Sequence, residues 1–424
     1  MTSALIADLE WRGLIAQTTD REALLKQLDS ESTAFYLGFD PTAPSLHLGN
    51  LVVLLVMRRF QLAGHKPLPL VGGATGLVGD PSGKNEERSL NEIEVVEQWV
   101  ERIRKQLSKF LDFESTTNGA VMTNNLDWTK SVSALDFLRD IGKHFSVNQM
   151  LSKDSVSSRL ESGGISYTEF SYQVLQAFDF LELYRHYNCK MQLGGSDQWG
   201  NIVAGLDLIR KVEGGTAHCL TIPLLMKSDG TKFGKTAGGS IWLDAEMTSP
   251  YAFYQFWLNS DDADIAKYLK VFSFKDHREI EALIATHENN PGARTAHREL
   301  ARELTTLVHG AGECEAAERA AKALFGQGEL GELDERTLES ALLQLPRITI
   351  SATEPIPTWV ELLAATGLVD SKSAARRIVK EGGAYLNNEK VLSEEFAPTP
   401  ESLLFGRFLL LRKGKRDLAA VEMI

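Results

Sequence analysis

Short apolar runs separated by amphipathic stretches predict a strand–helix–strand unit over residues 33–73. Phe35–Phe39 predicts a strand, Gly49–Ala63 a helix and Leu68–Val71 a second strand. Gly64, directly after the helix, is a natural helix terminator. Strands connected through a helix run parallel, and such sheets bind ligands at the carboxyl ends of their strands. The pattern therefore predicts an α/β fold with a ligand site at that edge of the sheet.

The rest of the chain predicts further domains. Met191–Leu193 predicts another strand that leads into a helix, and the pattern from Pro250 to about Phe325 is mainly helical. A chain of 424 residues is long enough for about two or three domains. We predict an α/β domain over 1–228, a glycine-flanked lysine loop with a helical domain over 229–325, a linker over 326–356 and a small α+β module over 357–424.

Composition narrows the class of protein. With 43% hydrophobic and 24% charged residues, the chain has an ordinary globular composition without a run of eighteen apolar residues, and its start lacks the pattern of a signal peptide. Cys189, Cys219 and Cys314 lie far apart, which argues against a zinc site or a disulfide framework and suits a reducing cytoplasm. We predict no resident metal.

Net charge is −12, but the charge is unevenly distributed. Residues 358–424 hold ten Lys and Arg against nine Asp and Glu, so the C-terminal end is nearly neutral. Its basic residues form two clusters, 376–380 and 412–416. A local basic patch on an acidic protein is compatible with nucleic-acid binding.

A glycine-rich turn follows the second predicted strand, at residues 72–80. It lacks the G-x-G-x-x-G of a dinucleotide site. A P-loop needs Gly where Val78 stands, and Ser or Thr where Asn85 follows Lys84. Both of these nucleotide-binding motifs are therefore excluded.

A nearly all-apolar helix, Tyr167–Tyr184, carries one polar stripe. Tyr172, Gln176 and Asp179 are spaced at i, i+4 and i+7, so they share a face. A buried carboxylate is costly unless it is hydrogen-bonded. The stripe is compatible with an internal network or with the wall of a pocket for a small polar ligand, to which Tyr36 would add an opposing hydroxyl.

Two short segments carry candidate phosphate chemistry. His47-Leu48-Gly49-Asn50 lies at a predicted helix start, where free N–H groups and the helix dipole favour phosphate oxygens. Lys232-Phe233-Gly234-Lys235-Thr236 lies in a glycine-rich loop that is suited to close over a substrate. Taken alone, such a histidine is more often an ordinary surface or core residue and such lysines are ordinarily solvated, while Asp197 is compatible with a helix cap or a ribose contact.

At these residues the chain resembles bacterial tyrosyl-tRNA synthetases, a class I aminoacyl-tRNA synthetase family. His47–Asn50 stands where the family has its HIGH signature, and Lys232–Thr236 where it has its KMSKS loop. Three further segments resemble family segments in the same order: Gly38-Phe39-Asp40-Pro41-Thr42, Gly194–Asn201 (GGSDQWGN) and Thr248-Ser249-Pro250-Tyr251. Five signatures in order make the resemblance specific.

The resemblance implies a Rossmann-type parallel-sheet catalytic domain, an α-helical tRNA-binding domain and a C-terminal S4-type RNA-binding module. It implies activation of L-tyrosine by ATP with Mg²⁺, and transfer to the 3′-terminal adenosine of tRNA(Tyr). It also implies a cytoplasmic homodimer without a tightly bound cofactor.

The resemblance also assigns residues. Tyr36 and Asp179 are expected to hydrogen-bond the phenol of tyrosine, and the ammonium and carboxylate are expected to contact Asp80, Tyr172, Gln176 and Gln198. The residues expected around ATP are Gly38, Asp40, His47, Asn50, Gly195, Asp197 and Lys235. The catalytic donors expected on the triphosphate and its surroundings are Thr42, His47, Asn50, Lys84, Arg88, Lys232, Lys235 and Thr236. The residues expected to contact RNA are Lys372, Arg376, Arg377, Lys380, Arg412, Lys413, Lys415 and Arg416.

Two positions depart from the family pattern. Asn50 replaces a second histidine but still offers an amide donor, so we expect function to be retained. Leu37 stands where relatives often have a cysteine near the ribose, and we expect a modest effect on ATP affinity. Two other functions remain open at this point: an RNA-binding protein that keeps the scaffold for a structural role, and a tryptophan-specific relative. The Tyr36/Asp179 pair and the S4-like end disfavour the latter.

Overall fold

The computed structural model describes residues 2–80, 92–153, 156, 160, 164–236 and 239–424, with the backbone alone at 2–3 and 235–236. The chain forms two compact units. Unit 1 comprises Met1–Met247 with Asp261–Ala285, and unit 2 comprises Thr248–Ser260 with Thr286–Ile424.

Helices and strands alternate through unit 1, and helices dominate the first part of unit 2. The helices are α1 (Thr2–Trp11), α2 (Arg21–Ser30), α3 (Leu48–Leu62), α4 (Ile93–Leu107), α5 (Leu126–Thr129), α6 (Ala134–Asp136), α7 (Val147–Leu151), α8 (Tyr167–Tyr187), α9 (Trp199–Glu213), α10 (Pro250–Leu258), α11 (Ile265–Phe272), α12 (His277–Asn289), α13 (Thr295–His309), α14 (Ala311–Leu324), α15 (Glu335–Leu342), α16 (Trp359–Ala365) and α17 (Lys372–Lys380). Among the described residues, none of these helices has the length and apolar character needed to cross a bilayer.

Unit 1 is built on a six-stranded sheet in the order β1-β6-β5-β2-β3-β4. The strands are β1 (Gln17–Thr18), β2 (Ala34–Phe39), β3 (Lys66–Val71), β4 (Thr123–Asn124), β5 (Cys189–Gly195) and β6 (His218–Ile222). Strand β1 pairs antiparallel with β6, and every other pair in this sheet is parallel. The predicted parallel α/β core is confirmed.

The central strands β2, β3 and β5 are nearly continuous runs of buried residues, as expected for a parallel sheet covered on both faces. Helices α8 and α9 pack on the sheet, with Phe180, Leu181 and Leu208 in the core. Because the parallel strands end at one edge, the residues that follow β2, β3, β4 and β5 are brought together there. Between β6 and α10, a two-stranded hairpin is formed by β7 (Lys235–Thr236) and β8 (Gly239–Ser240).

Unit 2 combines helices with a second sheet. This sheet has the order β11-β10-β12-β13-β9, formed by β9 (Arg347–Ile350), β10 (Ala384–Leu386), β11 (Glu389–Lys390), β12 (Phe408–Lys413) and β13 (Asp417–Met423). Strand β9 runs parallel to β13, and the other neighbours are antiparallel. Trp359, Leu409 and Val421 lie in the core beneath it.

The segment 326–356 differs from the predicted linker. It contains helix α15 and strand β9, which completes the C-terminal sheet. The sheet therefore begins before residue 357. It also contacts the preceding helices, since Asn388 Nδ2 donates to the carbonyl of Ala323 at 2.6 Å and Arg407 forms an ion pair with Glu339 at 2.9 Å.

Candidate active site

Asp179, on α8, is buried beneath the carboxyl edge of the unit 1 sheet. Its two oxygens accept hydrogen bonds from Asn125 Nδ2 at 3.0 Å and Trp128 Nε1 at 2.9 Å. Burial raises its pKa to about 7, although both hydrogen bonds act in the opposite direction. The carboxylate thus sits in a low-dielectric site and ionises near neutral pH.

Tyr36 and Gln176 hold polar atoms that lack partners. The Tyr36 hydroxyl and the Gln176 Oε1 atom are buried and make no hydrogen bond to any described residue. Gln192 lies close to the Tyr36 hydroxyl, without the geometry of a hydrogen bond. Burial, followed by the charge of Asp179, holds the pKa of Tyr36 well above its usual value, so Tyr36 and Asp179 share one environment. Unsatisfied buried polar atoms are rare in native proteins, so these two atoms are candidate contacts for a polar ligand.

Asp40 connects the surroundings of Asp179 to the glycine-rich turn. Its carboxylate accepts from the Tyr172 hydroxyl at 2.7 Å and from Thr75 Oγ1 at 2.7 Å. Thr75 Oγ1 in turn accepts from Asn125 Nδ2 at 3.0 Å, which links Asp40 to Asp179. A Cβ atom at Gly72 would overlap both Asp40 Oδ1 and Thr75 Oγ1. Glycine at this position therefore makes room for the network.

Asp80, Asp197 and Gln198 form a second polar group. Gln198 Nε2 donates to Asp80 Oδ2 at 2.8 Å. Partial burial, followed by the charge of Asp80, raises the pKa of Asp197. Helix α9 begins after Gln198 without a side-chain cap, so Asp197 is not its N-cap. Asp80 also contributes to the raised pKa of Tyr172, after burial and Asp40, so this group adjoins the network around Asp40 and Asp179.

His47 caps helix α3. Its Nδ1 accepts from the backbone N–H groups of Gly49 at 3.0 Å and Asn50 at 3.3 Å, and Asn50 Oδ1 accepts from the His47 backbone at 3.1 Å. This reciprocal capping box fixes the helix start. Because Nδ1 is an acceptor, the proton of a neutral His47 ring is on Nε2, which is then a donor. The Asn50 amide nitrogen likewise keeps its donor capacity.

The lysine loop, defined here as residues 225–236, packs against this turn. Gly234, at φ +80°, lies against the Leu48 side chain and the Gly49 backbone, where a Cβ atom would come within 3.1 Å of Leu48 Cβ. Backbone bonds from Leu48 to Ile241 at 3.0 Å and from Leu243 to Leu46 at 2.8 Å hold the segment after the loop. The positive charge of Lys232 acts on Asp197 and opposes part of the rise in its pKa that burial and Asp80 cause. The two predicted phosphate-binding segments therefore lie side by side.

The contacts above connect Tyr36 and Asp179 with Asp40 and Tyr172, and Asp80 with Gln198, near the carboxyl ends of the parallel strands. Gly38 is exposed in β2, and a Cβ atom there would meet nothing within 4 Å. Thr42 is also exposed, just after β2. Lys84 and Arg88 lie outside the described residues, as do the side chains of Lys235 and Thr236.

Four residues of the network were missed by sequence reasoning: Gly72, Thr75, Asn125 and Trp128. Thr75 and Gly72 belong to the glycine-rich turn after β3, so their position was a usable signal. Asn125 and Trp128 follow a strand of two residues and lie at a four-residue helix, too short to show a period.

The predicted RNA-binding residues divide into exposed and buried positions. Lys372, Arg376, Arg377 and Lys380 are exposed on α17, each with a carboxylate within 4 Å. Lys415 and Arg416 are exposed in the turn between β12 and β13. Lys413 is half-buried and donates to the Leu368 carbonyl at 3.1 Å.

Arg412 was predicted to contact RNA, and its position in the structure does not support this prediction. It is only 9% exposed, and its guanidinium lies 3.8 Å from the centre of the Tyr385 ring. One of its nitrogens donates to the Gly414 carbonyl at 2.9 Å. Strand β12 is buried along most of its length, so its arginine stacks inside the domain and is not available to a phosphate backbone.

The chain matches two family models. Residues 28–326 match the family described as "tRNA synthetases class I (W and Y)", and residues 337–421 match the "Tyrosine--tRNA ligase SYY-like C-terminal domain". Together with the parallel-sheet core and the two segments predicted to bind phosphate, these matches define a class I aminoacyl-tRNA synthetase.

Full-length relatives narrow the class. The tyrosine–tRNA ligase of Streptomyces coelicolor is 61% identical over 421 residues, covering 99% of both chains, and that of Mycobacterium leprae is 52% identical over 428 residues, covering both entirely. The chain belongs to the tyrosine–tRNA ligase family, whose members charge tyrosine onto tRNA. Among solved structures, a C-terminally truncated mitochondrial tyrosyl-tRNA synthetase of Aspergillus nidulans superposes with a TM-score of 0.69 at 31% identity, covering 76% of this chain and 94% of that one.

Proposed function

We propose that this site activates L-tyrosine with Mg-ATP to tyrosyl-adenylate and pyrophosphate, and then transfers tyrosine to the 3′-terminal adenosine of tRNA(Tyr). The observation that carries the proposal is the pair of unpartnered buried atoms, the Tyr36 hydroxyl and Gln176 Oε1, beside Asp179. A phenol and an ammonium group are complementary to these atoms.

Tyrosine is held from both ends in this proposal. Its phenol donates to Asp179 and is bonded by Tyr36. Its ammonium is met by acceptors on Gln176, Tyr172 and Asp80, with Gln198 nearby. Asp80 and Asp40 make this side of the pocket negative, which suits a cation. A substrate without the hydroxyl would leave Asp179 and Tyr36 buried and unpaired, and rejection of phenylalanine by tyrosyl-tRNA synthetases is itself an established example of this rule.

ATP occupies the open edge beside α3. Gly38 leaves room next to β2, Asp40, Gly195 and Asp197 line the ribose side, and His47 Nε2 and the Asn50 amide are donors at a helix start. Thr42, Lys232, Lys235 and Thr236 approach the triphosphate, and the family resemblance adds Lys84 and Arg88. Mg²⁺ enters with ATP as part of the substrate, and Leu37 is expected to contribute no polar contact to the ribose.

The reaction needs little proton transfer. The tyrosine carboxylate attacks the α-phosphorus in line, and pyrophosphate leaves with the negative charge. Catalysis therefore depends on positioning and on donors that stabilise charge as it builds on the departing phosphates. The donor set around α3 and the lysine loop, which lacks a nucleophile–base pair, suits this chemistry.

We extend the proposal to the oligomeric state, the cellular compartment and the roles of the domains. We infer a homodimer, since Leu135, Leu138 and Val147 expose 80%, 54% and 58% of their surface along one stretch of unit 1. Three free, buried cysteines are consistent with a reducing cytoplasm. The helical part of unit 2 and the S4-like module from β9 to β13 would bind tRNA, with one tRNA contacting both subunits.

Tyrosine-dependent exchange of pyrophosphate into ATP tests the proposal. The wild-type protein is expected to exchange with tyrosine but not with phenylalanine or tryptophan. Tyr36→Phe removes an unpaired buried hydroxyl, so we expect unchanged or slightly higher thermal stability together with a roughly tenfold higher KM for tyrosine. Folded wild-type protein without exchange would refute the activity, and a Tyr36→Phe variant with wild-type KM would refute the pocket assignment.

A further inference from the structure

The first half of the lysine loop is folded onto helix α11. Residues 226 and 232 form a bridge across a tight turn in which Lys227 N–H donates to Thr231 O at 2.9 Å and Gly230 has φ +79°. Lys267, on α11, donates to the Met226 carbonyl at 2.6 Å. The loop therefore has a defined shape and a fixed neighbour.

Asp264 is the main polar contact between the loop and the helix. It occupies the N-cap position of α11, where an aspartate side chain ordinarily accepts from backbone N–H groups of the first turn, yet its side chain makes no such capping bond. Its oxygens accept instead from the Ser228 N–H at 2.9 Å and the Ser228 hydroxyl at 3.2 Å, and from the Tyr268 hydroxyl at 3.2 Å. Asp264 is buried, and its side chain bonds to Ser228 of the lysine loop instead of capping helix α11.

Phe233 is the apolar contact. It stands between Lys232 and Gly234 in the loop but is only 7% exposed. Its ring centre lies 5.2 Å from that of Tyr268 and 5.2 Å from that of Phe272, one turn apart on α11. Because undocking the loop would return this aromatic ring to water, its burial favours the docked position.

The far end of α11 is held rigidly. Arg12, on α1, donates to the carbonyls of Lys270 at 2.9 Å and Ser273 at 2.8 Å, and Arg59, on α3, also donates to Ser273. Asp8 pairs with Arg12 at 2.8 Å and with Arg59 at 3.7 Å. Helix α11 is therefore fixed relative to α3, whose N-cap residue is His47.

We propose that α11 is the platform that positions the lysine loop for tyrosine activation, with Asp264 and Phe233 as positioning residues. The inference rests on the proposed function, in which the loop supplies cations to the triphosphate. Docking on α11 sets Gly234 against the start of α3 and brings Lys232 within electrostatic reach of Asp197. Neither Asp264 nor Phe233 touches substrate in this proposal. Each acts by fixing the position of Lys232 and Lys235 relative to the triphosphate.

The test compares Asp264→Ala and Phe233→Ala with the control Asp261→Ala. Asp261 is an exposed aspartate three residues before Asp264 that accepts from the Ala263 N–H, and it makes no hydrogen bond to the described atoms of the loop. A displacement of about 1 Å at a reacting group costs on the order of 100-fold in rate, so we expect about a 100-fold lower kcat/KM for ATP in both variants. The KM for tyrosine is expected to stay within about twofold, and Asp261→Ala to match wild type.

Limited proteolysis gives a second readout that does not require activity. Trypsin cleavage after Lys227 and Lys232 is expected to accelerate in both variants at a temperature where their thermal unfolding curves show a folded protein. Wild-type ATP kinetics in either folded variant would overturn the proposal, and so would an equal loss of tyrosine and ATP affinity. If wild-type protein performed no exchange, the proposed function would fail, while the proteolysis result would still report on the platform.

Discussion

Asp179 lowers the stability of the fold and is also the proposed hydrogen-bond acceptor for the tyrosine phenol. Its folded pKa of about 7 exceeds the ordinary 3.8, so between these values the folded state binds more protons than the unfolded chain. This group therefore lowers the stability of the fold as pH rises through that window, and the effect is constant above it. Asn125 and Trp128 reduce the cost by hydrogen-bonding the carboxylate, which remains poised to accept from a phenol.

This pKa predicts a pH-dependent affinity for tyrosine. Above about pH 7 the carboxylate is charged and accepts the phenol hydrogen bond, whereas at lower pH its proton must first leave, so affinity is expected to fall by up to tenfold per pH unit. Calorimetric titrations of tyrosine from about pH 6 to about pH 8 would measure this. Asp179→Asn is the control and is expected to bind weakly with little pH dependence. A wild-type affinity that does not change over this range would contradict the assignment.

At the scale of elements, glycines at the carboxyl ends of β2 and β3 shape the candidate site. Gly72 follows β3 where a side chain would overlap Asp40 and Thr75, while Gly38 in β2 faces open space. The first glycine thus protects a hydrogen-bond network, and the second leaves room for a ligand.

Alanine at these two positions is expected to give different results. Gly72→Ala must displace Asp40 or Thr75, and a lost buried hydrogen bond of this kind should lower the free energy of unfolding by about 1–3 kcal/mol and impair tyrosine binding. Gly38→Ala should leave the unfolding curve unchanged and raise the KM for ATP. Chemical denaturation and exchange kinetics of both variants provide the measurement. A Gly38→Ala protein with a wild-type KM for ATP would show that the open space is not a ligand site.

Sequence patterns predicted elements correctly where an element is long, and they identified candidate site residues where a residue directly follows a strand. The hydrophobic periodicity of the sequence predicts strands β2 and β3, the helix start at His47 and the polar stripe on α8. It does not reveal Asn125 and Trp128, because their elements span two and four residues. The role of Asp264 depends on a tertiary pairing with Ser228, 36 residues earlier, which no local period reveals.

Tertiary pairing also explains why the sequence predicted the C-terminal end only in part. The cluster 412–416 suggested one basic surface, but strand β12 buries Arg412 and its turn exposes Lys415 and Arg416. Strand β9 was missed because its four residues, Arg347–Ile350, become a strand only by pairing with β13.

At the scale of the whole molecule, a protein of net charge −12 must bind a polyanion through a local patch. Lys415 and Arg416 are the strongest candidates, since within the described part of the chain neither forms an ion pair. Each phosphate contact contributes about 0.7–0.9 to the slope of log affinity against log salt. Lys415→Ala with Arg416→Ala is therefore expected to weaken tRNA binding and to reduce the steepness of that slope by roughly 1–2.

Fluorescence anisotropy with tRNA(Tyr) between about 50 and 200 mM salt would measure this slope. Arg21→Ala with Lys26→Ala removes the same charge from exposed positions on α2 and is the control for net charge. Arg412→Ala should instead lower the free energy of unfolding, because its guanidinium is stacked on Tyr385 inside the sheet. Equal slopes in the Lys415/Arg416 variant and wild type would place the RNA surface elsewhere, with the helix α17 basic residues as the next positions to test.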